Sequence, residues 1–337
     1  MEKSKIMQPL LSIIIPSYNS AKFISSALDS IECQHFKSYE VLIIDAGSDD
    51  KTKEICEMYD VRFIFHELKG SNQGEARNLG IYNAKGALIM FLDSDDMLSD
   101  SNVLNDCMQK VEESDSDFYN FSISFFKNKK FKREISVPGE LMVNGRDTIL
   151  RMGIFGKHIH TIPWNKIYKK HFLITNNIYF PNLKEQEDMV FVIHCCIKAA
   201  KVSFSNRIIV NANIRDDSLS RSMSSVNVTC CLDVFRSLEI LLKYENLLDK
   251  YKKDFECYKM RTSAYILLMT IDRVKSNDDF WKGVNIIRKS GSLDPWNFMM
   301  MLSNMKITTI LSIVIAKSTI FLSILRLFRN LKIIRGY

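Results

Sequence analysis

The sequence of 337 residues contains no internal repeat, no low-complexity tract and no secretory signal. Residues 1–9 carry charge but no apolar segment of the kind that a signal peptide requires, so we expect a cytoplasmic protein. The absence of internal repeats excludes a repeat architecture, and the absence of low-complexity tracts argues against a disordered chain. With 46% hydrophobic residues, the chain is long enough to bury a sizeable core and to divide into two unequal parts.

The eight cysteines lack the spacing of a metal site or a disulfide framework. They include two adjacent pairs, Cys195 with Cys196 and Cys230 with Cys231. Neighbouring cysteines of this kind match neither a zinc motif nor the pattern of a small disulfide-bonded domain. We expect reduced thiols, most of them buried.

Acidic residues are absent from the end of the chain. From Lys306 to Tyr337 there are six Lys or Arg residues and no Asp or Glu, so this segment accounts for six of the seven net positive charges. The rest of the sequence is nearly neutral, which argues against a nucleic-acid-binding body, because that would need a basic surface on the folded domain. The distribution indicates an anionic partner at one end.

The first hundred residues alternate between short apolar runs and helical patterns. We predict strands at 10–15, 41–44, 61–65 and 88–92, separated by helices at 21–33, near 52 and at 76–84. This alternation predicts a parallel, right-handed, doubly wound α/β sheet.

Glycine is absent from the turn after the first strand, where a dinucleotide-binding fold requires it. The turns after three strands are instead polar: Ser17 to Asn19, Asp45 to Asp49, and Asp93 to Asp96. Ligands bind at the carboxyl edge of such a sheet, and clustered carboxylates there need a cation. We therefore predict Mg²⁺ or Mn²⁺ at Asp93 and Asp95, carrying nucleotide phosphates. An acidic loop that caps a following helix is the alternative.

Four stretches together resemble family 2 glycosyltransferases, the inverting class with the GT-A fold, of the type that builds bacterial surface polysaccharides. They are LSIIIPSYNSAKFISSALDSI, VLIIDAGSDDKT, GEARNLGIYNAKG and MFLDSDD, between Leu10 and Asp96. The resemblance implies a GT-A, Rossmann-like, mostly parallel sheet flanked by helices. It also implies that the donor nucleoside lies among Pro16, Tyr18, Asn19 and Asp45, and that Arg77 lies near the base or the phosphates. The ribose and the metal would then lie at Asp93 and Asp95.

One position departs from the family pattern. Many members have two acids after the second strand, one of which contacts the base, whereas this sequence has Asp45 followed by Ala46. The resemblance is therefore more specific for the fold than for the donor nucleotide.

A candidate catalytic base lies downstream in the string EDMVF. Displacement of a nucleoside diphosphate from an anomeric carbon needs a base for the acceptor hydroxyl, and a single carboxylate is sufficient for inversion. EDMVF resembles the acidic pair and aromatic residue that carry the family's base, which implies Asp188 as the base and Glu187 as its neighbour. The alternative is simple compensation of a helix dipole at an N-terminus.

Two further stretches could contact substrates. In TIPWNKIYKK, Trp164 could stack on a sugar while Asn165 and Lys166 bind the acceptor, or Trp164 could fill a gap between sheet and helix. After a strand predicted at 201–211, Arg215 matches a family position that contacts the donor diphosphate, with Arg221 in reserve. These arginines could instead pair with neighbouring acids on an exposed loop.

The remaining sequence predicts a C-terminal helical region. We expect three parts: a catalytic domain at 1–225, a helical subdomain at 226–304, and a basic apolar helix at 305–337. Because Lys317 falls within the apolar stretch 307–328, a helix lying on an anionic membrane surface fits better than a full span. Burial against the helical subdomain is the alternative. If the helix lies on the membrane surface, we expect the protein to be peripheral on the inner face of the plasma membrane.

The sequence thus favours transfer of a sugar from a nucleotide sugar to a glycan or a lipid-linked oligosaccharide, and we expect the donor to be UDP-linked. The pathway that the resemblance suggests is cell-surface polysaccharide biosynthesis. Two alternatives stay open. One is a catalytically silent nucleotide-sugar-binding protein at the membrane. The other is a nucleotidyltransferase, although Lys22 is the only basic residue near the first turn.

Overall fold

The computed structural model describes residues 8–65, 73–155, 158–215, 225–274 and 276–290. The chain divides into two compact units, Met1–Arg215 and Asp216–Tyr337. The first unit ends at Arg215. The sequence predicts this boundary ten residues later, after residue 225. The predictions for Arg221, for residues 291–304 of the helical subdomain and for the segment 305–337 lie outside the described residues.

The first unit alternates strands and helices. Its strands are β1 (Leu11–Ser17), β2 (Tyr39–Asp45), β3 (Arg62–Phe65), β4 (Leu88–Phe91), β5 (Met97–Leu98), β6 (Phe118–Lys127), β7 (Lys130–Ile135), β8 (Leu141–Asn144), β9 (Lys166–Lys169) and β10 (Lys201–Asn213). Its helices are α1 (Ile24–Glu32), α2 (Thr52–Cys56), α3 (Gln73–Asn83), α4 (Val103–Glu113), α5 (Arg146–Phe155), α6 (Lys170–Thr175) and α7 (Glu187–Lys198). The four predicted strands of the first hundred residues are all present.

The described strands form one mixed sheet in the order β3-β2-β1-β4-β9-β6-β10-β5, with β7 beside β6 and β8 beside β10. The first four strands are parallel to one another, as predicted. The short strand β9 runs antiparallel between β4 and β6, and β6 is again parallel to β10. The carboxyl ends of β1, β2 and β4 therefore share one edge, which is where the polar turns lie.

Burial explains why these segments are strands. All seven residues of β1 and all four of β4 are buried, as expected for strands covered by helices on both faces. Helix α3 lies close to β1 because residue 80 is glycine: a Cβ there would collide with the side chain of Ile14. Arg77 is one turn earlier on the same helix, so this close packing brings its side chain down onto the sheet.

The second unit is helical in its described part. It contains α8 (Ser225–Tyr244), α9 (Leu248–Arg273) and α10 (Asn277–Lys289). The three helices share an apolar cluster that includes Val228, Leu267, Phe280 and Val284. The prediction of a helical C-terminal region is confirmed for these residues.

Two further expectations concern cysteines and membrane spans. All eight cysteines are free thiols, and six of them are buried, as the sequence predicts. Within the described ranges, no helix has both the length and the apolar character that a bilayer crossing requires.

Candidate active site

The acidic motif after β4 forms a turn at the carboxyl edge of the sheet. The backbone N–H of Asp96 donates to the carbonyl of Asp93 over 3.0 Å, which closes the turn. The carboxylate of Asp96 is buried and accepts from the N–H of Asn213 at 2.8 Å. Burial raises the pKa of Asp96 well above its ordinary value, and the charges of Asp93 and Asp95 raise it further. The turn therefore concentrates negative charge.

Arg77 connects this turn to the candidate base. Its guanidinium is completely buried, and Nη2 lies 3.0 Å from Oδ1 of Asp93. Nη1 lies 2.6 Å from Oδ1 of Asp188 and 3.2 Å from Oε1 of Glu187. Burial lowers the pKa of Arg77, but the three carboxylates outweigh that effect and raise the pKa above its ordinary value. One fixed cation thus holds two motifs that lie 95 residues apart in the sequence.

Aromatic packing in the core also holds the acidic turn next to the start of α7. Phe191, the aromatic residue of EDMVF, stacks on Phe180 with ring centroids 3.9 Å apart. Phe191 also meets Phe91, the last residue of β4, edge to face at 5.9 Å. Because Phe91 precedes the acidic turn and Phe191 lies one helical turn after Glu187, this contact sets the two acid motifs side by side.

Asp188 is in an environment suited to accept a proton. It lies in the first turn of α7, after Gln186, whose backbone is left-handed at φ 64°. A non-glycine residue in this conformation is uncommon and is often found at functional sites. The Asp188 side chain is 27% exposed, so one edge stays accessible. Burial raises its pKa to about 7 against the opposing charge of Arg77. Burial also raises the pKa of Glu187.

Asp95 pairs with the arginine that the sequence assigned to the diphosphate. The carboxylate of Asp95 is 3.0 Å from Nε of Arg215, which lies two residues after the end of β10. The guanidinium of Arg215 also lies over the ring of Phe23, 4.6 Å from its centroid. The structure therefore brings Arg215 to the acidic turn, although the two residues are 120 positions apart in the sequence.

The two turns beside this acidic turn carry the remaining predicted donor residues. Pro16 is buried within β1, whereas Tyr18 is exposed and Asn19 has a left-handed backbone at φ 47°. Asn19 Oδ1 accepts from the N–H of Asp49 at 3.0 Å, which connects the turns after β1 and β2. Asp45 is buried, and its carboxylate accepts from the N–H groups of Gly47 and Ser48 and from the Ser48 hydroxyl.

The three predicted acceptor residues lie in the interior. Trp164 is 9% exposed and packs edge to face against Phe125 at 6.2 Å. Asn165 and Lys166 are fully buried. Asn165 donates to the carbonyl of Phe121, and the Lys166 ammonium donates to oxygen atoms of its own preceding segment. This geometry favours the packing alternative for Trp164, and the acceptor role of the three residues stays a prediction.

Sequence reasoning missed several contributors. Ser20 and Ser94 share a hydrogen bond of 2.8 Å that joins the first turn to the acidic turn. Gln73 supports Arg77 from one turn earlier on α3, with Oε1 3.3 Å from Nη2. The spacing of four residues between Gln73 and Arg77 was the signal for that contact. No local signal marks the burial of Asp96 or the hydrogen bond between the two serines.

Comparison with known proteins agrees with this geometry. The family model described as glycosyl transferase family 2 matches residues 12–175. The glycosyltransferase GlyG of Streptococcus pneumoniae serotype 4 is 26% identical over 283 residues, which cover 75% of this chain and 91% of GlyG. The poly(ribitol-phosphate) beta-N-acetylglucosaminyltransferase TarS of Staphylococcus aureus is 29% identical over 202 residues, which cover 57% of this chain and 33% of TarS.

Solved structures extend the likeness of fold. The crystal structure of S. aureus TarS 1-349 in complex with UDP-GlcNAc superposes with a TM-score of 0.55 and 21% identity, and covers 92% of this chain and 82% of that one. The prediction of an α/β GT-A fold is confirmed. The family model and the sequence relatives support the family that the sequence motifs predicted, family 2 of the glycosyltransferases.

Proposed function

We propose that this glycosyltransferase transfers a sugar with inversion from a UDP-linked donor to an acceptor of a bacterial surface glycan. The observation that carries the proposal is the buried Arg77, which holds Asp93 of the acidic turn and Asp188 of α7 within 3.0 Å and 2.6 Å of its two terminal nitrogens. A donor site and a base are then adjacent, as a single displacement requires.

Asp188 acts as the base in this proposal. A general base works best when its pKa is near the operating pH, and burial brings the pKa of Asp188 to about 7. The attacking acceptor hydroxyl gives its proton to the accessible edge of this carboxylate. Arg77 keeps the other edge oriented, and Glu187, held by the same Nη1, lies beside it. A carboxylate on the side opposite the leaving group gives inversion.

The acidic turn fits a divalent cation, Mn²⁺ or Mg²⁺. Asp93 and Asp95 supply hard carboxylate oxygens, and their side chains are 23% and 21% exposed. Within the described ranges, no group of three or more His, Cys, Asp or Glu side chains is arranged to hold a metal. Two carboxylates agree with the way Mg²⁺ is usually held, by one or two acids together with substrate phosphates. A bound cation would neutralise the leaving diphosphate as a Lewis acid.

Arg215 and the first two turns would bind the rest of the donor. Arg215 is 29% exposed and already lies at Asp95, so its guanidinium can turn to the diphosphate when a cation binds that carboxylate. Tyr18 and Asn19 are exposed on the turn after β1 and would contact the nucleoside with Asp45 and Pro16. The choice of uridine is supported by TarS, whose fold is similar and which was solved in complex with UDP and with UDP-GlcNAc.

The acceptor class follows from the named relatives. TarS and a Bacillus spizizenii relative that is 30% identical over 212 residues are named as poly(ribitol-phosphate) glycosyltransferases. This chain spans about a third of each of those two proteins, 33% and 31% respectively. We extend to it only the chemical class, a glycan or lipid-linked oligosaccharide of surface-polysaccharide synthesis.

Two measurements test the proposal. Calorimetric titration of UDP, GDP, ADP and CMP with and without Mn²⁺ should show that UDP binds most tightly, and that binding weakens without the metal or after Asp95→Asn. Incubation with a panel of nucleotide sugars should show release of UDP from one of them by mass spectrometry. Binding that is indifferent to the metal, or a panel in which no donor is hydrolysed or transferred, would contradict the proposal.

The basic segment 305–337 is proposed to hold the enzyme at an anionic membrane surface. The support is its sequence alone, six cations and no acid from Lys306 onward. Full-length protein should sediment with vesicles that contain anionic lipid and not with neutral ones. A chain that ends at residue 304 should lose this binding, and equal sedimentation of both chains would refute the assignment.

A further inference from the structure

Lys166 is the first residue of β9, and its side chain is completely buried. It lies on the same side of β9 as Tyr168, because side chains two residues apart on a strand point the same way. Tyr168 packs against Phe191 of α7 with ring centroids 5.4 Å apart. The ammonium of Lys166 is therefore inside the protein, on the side of the sheet where α7 and the candidate base lie.

All three donors of this ammonium are used by the chain that leads into β9. Nζ donates to the carbonyl oxygens of His160 and Ile162 at 2.7 and 2.8 Å, and to Oδ1 of Asn165 at 2.6 Å. A lysine ammonium has three N–H groups, so its capacity is complete. The segment 160–165 has no helix or strand of its own, and buried carbonyls without such a partner are costly. Lys166 supplies the hydrogen bonds that regular structure would supply.

The same ammonium interacts electrostatically with α7. Its neighbours there are Asp188 and the thiols of Cys195 and Cys196, and burial lowers the pKa of Lys166 to about 7. Asp188 is also paired with Arg77, which pairs with Glu187 and Asp93 as well. Two cations thus face three acids, which leaves one negative charge in excess when every group is ionised. Removal of Lys166 doubles that excess.

We propose that Lys166 is a positioning residue for sugar transfer, which fixes the segment 160–165 in place and supplies positive charge to the base Asp188 in addition to that of Arg77. The proposal rests on the function proposed above. It gives Lys166 a different role from the acceptor contact that its sequence context suggested, because no donor of its ammonium is left for a substrate.

Hydrogen exchange measures the first half of this role. In Lys166→Met the amides of residues 158–165 should exchange faster, whereas exchange in β1, β2 and β4 should stay as in the wild type. Lys169→Met is the matched control, since Lys169 lies on the same strand, is 30% exposed and pairs with Asp115. A uniform increase in exchange over the whole unit would mean a merely structural role and would overturn the proposal.

The pH dependence of donor hydrolysis measures the second half, with the nucleotide sugar that the panel identifies and water as acceptor. Without the cation the pKa of Asp188 rises, so the acid limb of the rate profile should move to higher pH in Lys166→Met. The rate at pH 7 should fall by up to about 100-fold, the cost of a displacement of about 1 Å at a reacting group. Lys166→Arg keeps the charge and should restore the position of the limb. An unmoved limb in Lys166→Met would overturn the proposal.

Two further variants keep the result interpretable. If Lys166→Met does not fold, Lys166→Gln keeps two N–H donors without the charge, and its limb should still move; a wild-type limb would overturn the proposal. Asp188→Asn separates the two levels of inference. Full activity in Asp188→Asn removes the proposed function itself. If Asp188→Asn loses activity but Lys166→Met has the same hydrogen exchange and the same pH profile as Lys169→Met, only the proposed role of Lys166 is refuted.

Discussion

Replacement of Arg77 by methionine should destabilise the first unit and impair the base together. The substitution leaves three carboxylates without their shared cation. Breaking a buried ion pair from one side costs roughly 3–5 kcal/mol. Glu187 is only 8% exposed, so the loss of its partner should cost an amount of free energy within that range. Asp93 and Asp188 are 23% and 27% exposed, so water screens part of the cost of leaving them without Arg77. We therefore expect a loss of about 3 kcal/mol, a large share of the roughly 5–15 kcal/mol of a typical domain.

The control is Arg207→Met. Arg207 also pairs with two acids, Asp100 and Asp106, but it is 31% exposed and its acids are 46% and 38% exposed. Such surface pairs contribute about 0–1 kcal/mol each. Denaturant unfolding followed by tryptophan fluorescence, in a background with Trp281 and Trp296 replaced by Phe, reports on the unit that contains Trp164. Arg77→Met should unfold at clearly lower denaturant than Arg207→Met.

The kinetic consequence of Arg77→Met has a defined sign. Arg77 lowers the pKa of Asp188 against the effect of burial. Without it, the pKa rises above 7, more of the base is protonated at neutral pH, and the acid limb of the rate profile moves upward. Arg77→Lys should restore part of both effects, because one ammonium cannot span three carboxylates. If Arg77→Met unfolds at the same denaturant concentration as Arg207→Met and keeps the wild-type pH profile of the rate, the central role of Arg77 is refuted.

Three other predictions concern Asp188 and Asp95. Asp188→Asn should lower sugar transfer by roughly a hundred- to ten-thousand-fold while calorimetry shows UDP binding within a few-fold of wild type, since a positioned base contributes to rate by about that factor. In the wild type, the folded pKa of Asp188 is above its unfolded value, so the folded state holds the extra proton between about pH 4 and pH 7. The unfolding free energy of wild type relative to Asp188→Asn should therefore decrease as pH rises through that window; a constant difference would show that Asp188 is not perturbed. Asp95→Asn should abolish the dependence of UDP binding on Mn²⁺, whereas Asp49→Asn, an acid in the neighbouring turn, should leave it intact; loss in both variants would place the metal elsewhere.

Much of the first unit could be predicted because its signals are local. Each of β1 to β4 is an apolar run that ends in polar residues, and such runs become parallel strands wherever helices follow them. The start of α7 was visible as acids before an apolar helix. The antiparallel strand β9, between β4 and β6, was not predicted, because four residues give no pattern that distinguishes a central strand from a loop.

The roles of Arg77 and Lys166 depended on tertiary contacts. From its motif, Arg77 was assigned to the donor base or phosphates, yet its guanidinium lies among three acids. From its neighbours, Lys166 was assigned to the acceptor, yet its ammonium is saturated by its own segment. A cation on a motif is consistent with any anionic partner, and which one it meets depends on packing between distant residues such as Gly80 with Ile14 and Phe91 with Phe191.

By itself, the sequence predicted the family, the order of strands and helices in the first hundred residues, and the candidate catalytic acids, because these follow from sequence motifs and from short-range patterns of apolar and charged residues. The tertiary structure alone decided that Asp93, Glu187 and Asp188 share one buried cation and that burial brings Asp188 to a pKa near 7. The physical reason is that electrostatic energy depends on distance and on exclusion of water, and both are fixed only when segments far apart in the chain pack together.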